Sequence, residues 1–103
     1  MSGSRARVIL LCAALSAPLG GRAADPEQGE RLYELHCEVC HGEDGRGRVA
    51  GAPDFSRGQG LIAPDATLVR LLRVGRGSMP AYEGLLREHQ LLDVIAYLRT
   101  LHQ

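Results

Sequence analysis

The sequence predicts an all-α domain of three or four helices joined by long loops. Three observations lead there. Several segments repeat apolar residues at helical spacing, no stretch alternates convincingly as a strand, and the segments between are rich in glycine. A chain of 103 residues without internal repeats is one domain at most.

The first 23 residues stand apart from that domain. "MSGSRAR" carries Arg5 and Arg7, "VILLCAALSAPL" is apolar, and "GGRAAD" is small, in the order of a secretory leader. The apolar run is too short to span a membrane. Cleavage after Ala23 leaves Gly21 and Ala23 at the two positions a peptidase reads, whereas cleavage after Ala24 would place Arg22 in one of them. The expected division is leader 1–23 and domain 24–103, the alternative being an uncleaved membrane anchor. Cys12 belongs to the leader, and Leu11 before it is not the small residue of a lipoprotein signal.

Within the domain, Asp25 is placed to cap a helix, Pro26 to open it, and Gln28 to close a capping box. Leu32, Leu35 and either Tyr33 or Val39 give it a narrow apolar stripe, and it should run to about Cys40. From Gly42 to Gly60, six glycines and one proline predict a loop. A second helix enters at Pro64 or Asp65, carries Leu68, Leu71 and Leu72 on one face, and stops at Gly75. "GRGSMPAYEG" is loop again. The last helix, within "LREHQLLDVIAYLRTLH", aligns Leu91, Leu92, Ile95, Leu98 and Leu101, with Val94 and Tyr97 extending the face.

Charge and size narrow the function. The domain holds nine arginines, twelve acids and no lysine, three negative overall, and makes no basic stripe for nucleic acid. About 80 residues bury only a modest core, and domains of this size often lean on a disulfide, a metal or a cofactor. The only aromatics are Tyr33, Phe55, Tyr82 and Tyr97, so something else should fill the middle. A disulfide between Cys37 and Cys40 would close too short a loop to be a useful staple.

"CEVCH", residues 37–41, supplies the candidate. C-x-x-C-H is a signal for c-type haem attachment. Cys37 and Cys40 stand one helical turn apart, so their sulfurs can add to two vinyl groups on one porphyrin edge, and His41 can then reach the iron. A zinc site would want a further cluster of nitrogen or sulfur ligands. His36, His89 and His102 are the only other histidines, with no second cysteine pair. A thioredoxin-like dithiol would want strands. For the opposite side of the iron the domain has one methionine, Met79, in a loop between glycines and Pro80. A lone methionine is often a core filler, but this one is off any helix face. His89, near the start of the last helix, is the other candidate ligand, and His36 adjoins the attached cysteine.

These residues resemble the class I cytochrome c family in its small, single-haem, bacterial periplasmic form, over nearly all of 25–102. Gly29 and Tyr33, eight and four residues before Cys37, match the glycine and aromatic of the family's first helix. Val94 and Tyr97 match the positions that cross it on the last. The resemblance implies the cytochrome c fold, three to four helices wrapped around one covalent haem c, with close packing through Gly29. It implies that the Pro53 carbonyl accepts the far imidazole proton of His41, fixing the tautomer, and that "GSMPAY" presents Met79. Only 38 positions separate His41 from Met79, so one family loop is missing and a haem edge is more exposed. No Trp is present for a haem propionate, leaving Arg57, Arg73 and Arg76 as candidates, and Arg87 stands where relatives place a Ser or Thr cap.

Histidine opposite methionine leaves no open iron position and favours the ferrous state. The expected function is therefore one-electron transfer between redox-protein partners, a donor and an acceptor, rather than catalysis. The expected location is the periplasm, with no stable membrane insertion after leader cleavage, as a monomer or a subunit of a redox complex. The alternatives are a cytochrome subunit or haem enzyme component of a larger oxidoreductase, and a gas sensor. Arginines from Arg70 to Arg76 offer either a rim for an acidic partner or a solvated helix face.

Overall fold

The computed structural model describes residues 3–6 and 22–103. The leader expected over 1–23, with Cys12, therefore lies largely outside the described residues. Four α-helices follow in order: α1 Pro26–His36, α2 Glu38–His41, α3 Asp65–Val74 and α4 Glu88–Leu101, with a 3-10 turn at Phe55–Arg57 between α2 and α3. Among the described residues there are no strands beyond one isolated bridge, Arg76 to Met79. None of these helices is long and apolar enough to cross a membrane.

Asp25 caps α1 as expected, its carboxylate accepting from the N–H groups of Glu27 at 2.9 Å and Gln28 at 3.3 Å. Gln28 does not complete a capping box. Its amide oxygen accepts from Arg31, and the Asp25 N–H donates instead to Asp93 on α4 at 2.8 Å. The helix does not run unbroken to Cys40: α1 ends at His36, and Cys37, at φ −120°, turns the chain into α2. The face toward α4 is Gly29, Leu32 and Tyr33, all buried. Leu35 and Val39 are each 76% exposed. Leu35 follows Leu32 by three residues but falls well to the side of the line joining Gly29 to Tyr33, and α4 covers that line.

The α1–α4 contact is possible because position 29 has no side chain. A Cβ there would overlap the Asp93 backbone carbonyl and press on the Tyr97 Cβ. Tyr33 and Tyr97 then meet with ring centroids 5.2 Å apart. Leu91, Val94, Ile95 and Leu98 complete the α4 side of the core, and Leu68, Val69 and Leu72 of α3 close it from the other side. Val69 is more deeply placed than Leu71, which is half-buried. Arg99 fastens α4 to the segment entering α3. Its guanidinium donates to Leu61 O at 3.0 Å, Ala63 O at 2.9 Å and the Asp65 carboxylate at 2.7 Å. At the start of α4, the Gln90 side chain accepts from the Arg87 N–H at 2.8 Å. Arginine has no acceptor to return the bond, so only half of a capping box forms.

Candidate haem-iron site

Cys37 and Cys40 are free thiols at the two ends of a single helical turn. His41 N–H donates to Cys37 O at 3.0 Å, which fixes the spacing of the motif. Cys40 is exposed, while burial, helped by the neighbouring Cys40 sulfur, pushes the Cys37 thiol up to about 11. The glycine-rich loop turns back on this short helix: Gly47 N–H donates to His41 O at 2.7 Å and Arg48 N–H to Cys40 O at 2.9 Å. Backbone groups that α2 leaves unpaired at its end are satisfied in this way.

The His41 ring lies against Phe55, centroids 4.9 Å apart and planes 25° from parallel. Burial lowers its proton affinity, which favours the neutral imidazole that a metal ligand requires. Its Nδ1 is buried with no hydrogen-bond partner. The bond expected from His41 to the Pro53 carbonyl is thus not made here. Phe55, two residues beyond Pro53, sets the ring plane by stacking, and the Pro53 carbonyl lies against Gly47. A buried imidazole nitrogen without a protein partner calls for one. A neutral imidazole that directly follows two free thiols in sequence fits a covalently attached haem whose iron the histidine would hold through its other ring nitrogen.

Met79 is half-buried and packs against the core that Cys37 also touches. It closes a two-residue turn: Arg76 N–H donates to Met79 O at 3.1 Å and Met79 N–H to Arg76 O at 2.9 Å. Gly77, at φ 57°, takes the first turn position and Ser78 has negative φ, the pattern of a type II′ turn. The turn folds back on Gly75, which ends α3 at φ 72° and where a Cβ would stand 2.6 Å from Met79 O.

Tyr82 joins the two halves of the site. Its N–H donates to Leu72 O at 2.9 Å, holding the methionine loop on α3. Its hydroxyl donates to His36 O at 2.9 Å, the carbonyl just before Cys37. The His36 ring stands edge-on to Tyr82, with centroids 6.1 Å apart. His89 is exposed on the first turn of α4. Of the propionate candidates, Arg73 pairs with Glu83 at 3.5 Å and Glu88 at 3.8 Å, and Arg57 lines a cavity with Arg99 and His102. Sequence reasoning left Tyr82 and Phe55 without roles, although each stands two or three residues beyond a residue it singled out. Asp93 and Arg99 gave no local signal.

The family model described as cytochrome c oxidase, cbb3-type, subunit III matches residues 24–98. The cbb3-type oxidase subunit CcoP of Azospirillum brasilense is 36% identical over 86 residues, covering 77% of this chain and 29% of its own length. The chain thus spans under a third of that relative. Cytochrome c6 of Nostoc sp. is 27% identical, covering 88% of this chain and 82% of its own length. Among solved structures, cytochrome c6 of the diatom Phaeodactylum tricornutum superposes with a TM-score of 0.64 at 22% identity, covering 75% of this chain and 93% of its own. Helical content, the α1–α4 contact at Gly29 and these likenesses agree. The chain belongs to the cytochrome c family, by way of the cbb3-type subunit III model, and its cofactor is a covalently bound haem c.

Proposed function

We propose that this domain, residues 24–103, is a periplasmic electron carrier in which Cys37 and Cys40 hold haem through thioethers and His41 and Met79 ligate its iron. When bound, the haem supplies one iron that accepts and returns a single electron. The chain's own residues would hold that iron between an imidazole nitrogen and a thioether sulfur. His41 offers a neutral imidazole from a ring clamped on Phe55. Met79 offers a soft thioether, which favours the ferrous state.

The observation that carries the carrier reading is the closed turn at Met79, bonded in both directions and seated on Gly75. A sulfur held there would take the iron position that a substrate or gas would need. Pro53 remains the residue proposed to receive the His41 imidazole proton in the haem-loaded protein. The likeness to CcoP, and the small share of that protein the chain spans, support a second reading as the cytochrome part of an oxidase complex.

The visible spectrum of the oxidised holoprotein tests the ligand set. A far-red sulfur-to-iron band is expected, and Met79→Ala should lose it, retain covalent haem and show a lower reduction potential. A high-spin ferric spectrum at neutral pH, or an unchanged potential in Met79→Ala, would overturn the reading.

A further inference from the structure

Asp93 is buried in α4 with 1% of its surface exposed, at the point where α1 approaches most closely. One carboxylate oxygen accepts from the Asp25 N–H at 2.8 Å. The other accepts from the Arg22 guanidinium at 2.7 Å. Asp25 brings no positive charge, and its own carboxylate faces the N–H groups of Glu27 and Gln28. Arg22 is thus the counter-charge. A buried carboxylate stripped of its partner is strongly destabilising, because neither water nor another cation replaces it.

Arg22 lies on the leader side of the Ala23–Ala24 bond. Leader removal there would take Asp93's cation away. The same hydrolysis adds water across the bond, leaving a carboxylate on Ala23 and an amine on Ala24 that takes up a proton. That nitrogen is one residue from the Asp25 nitrogen already bound to Asp93, and consecutive residues are about 3.8 Å apart.

We propose that Asp93 is a receptor for the new amino terminus: the α-ammonium of Ala24 takes the carboxylate oxygen that Arg22 holds in the unprocessed chain. The inference rests on the reading of residues 1–23 as a cleaved leader. The α1 dipole opposes a cation at this end, but only as a partial charge. Asp93 presents a full one, out of water. Asp25 and Glu27, the other acids at this end, add to the attraction.

Two holoproteins exported behind a foreign leader test it, one beginning at Ala24 and one at Arg22. Each α-amine is labelled with trace acetic anhydride at neutral pH, and the rate is divided by that of the same chain unfolded. The Ala24 amine should react at least tenfold more slowly than the Arg22 amine, which stands free because the guanidinium holds Asp93. A third chain, beginning at Ala23, lacks Arg22 and displaces the amine by one residue, and its Tm should fall below both. Equal normalised rates, or a Tm for the Ala23 chain matching the others, would overturn the receptor. The mass of holoprotein exported behind its own leader separately tests the processing reading. A start at Ala24 supports it, and any start that keeps Arg22 overturns it whatever the engineered amines do.

Discussion

Tyr33 and Tyr82 each bury a phenol and direct it at a backbone carbonyl, Gly42 O for the first and His36 O for the second. Burial raises the proton affinity of Tyr33 above its ordinary 10.0, with smaller contributions from Cys37 and Tyr97, because an ionised phenol there would lose both water and its acceptor. A folded-state value above the unfolded one means that this stability is intact below pH 10 and is lost as pH rises toward the folded value. Tyr33→Phe should therefore cost about 1–2 kcal/mol near neutral pH and show a flatter decline above pH 10 in denaturant titrations. Tyr82 would act on the proposed Met79 ligand through the methionine loop, which its N–H holds on α3. Tyr82→Phe removes its tie to His36, worth about 1 kcal/mol, and should let external imidazole displace Met79 with about fivefold higher affinity. Unchanged imidazole binding would show that the loop is held without this hydroxyl.

At the scale of elements, the contact of α1 with α4 depends on a missing side chain. Gly29→Ala must push the Asp93 carbonyl and Tyr97 away, and overpacking of this kind costs about 3 kcal/mol. Chemical denaturation of holoprotein should read that loss, whereas a near-neutral result would mean the helices separate freely. The helices themselves were legible, since Asp25 and Pro26 open α1 and Gly75 ends α3 through interactions within a few residues. What escaped was set by distant partners. The exposure of Leu35 follows from where α4 lies, and no local pattern encodes that or announces the break at Cys37. Asp93 gave no signal of its own on α4, because its partner Arg22 stands 71 residues earlier.

For the whole molecule, the sequence offered a list of proposed ligands and no view of how they assemble. The C-x-x-C-H motif and the lone Met79 are sequence signals, but the Phe55 clamp on His41 and the Tyr82 bridge exist only after folding. A domain of this size has little core to spare, so haem should contribute much of its cooperativity. The chain carrying Cys37→Ala and Cys40→Ala, which on the proposed reading holds no covalent haem, should show a broad calorimetric transition at least about 15 °C below the holoprotein, roughly 2–4 kcal/mol. A sharp transition at the holoprotein temperature would show that protein packing suffices.

The meeting of Gly29 with Asp93 and Tyr97 also sets a clock. The face of α1 that carries Gly29 and Tyr33 is covered by α4, which is made after the other described helices, so it stays open until α4 has docked. In the folded chain, burial raises the proton affinity of the Cys37 thiol, and a protonated thiol is a poor nucleophile. If haem joins Cys37 as proposed, attachment is expected to be fastest in the interval before closure. A chain that folds first should load slowly.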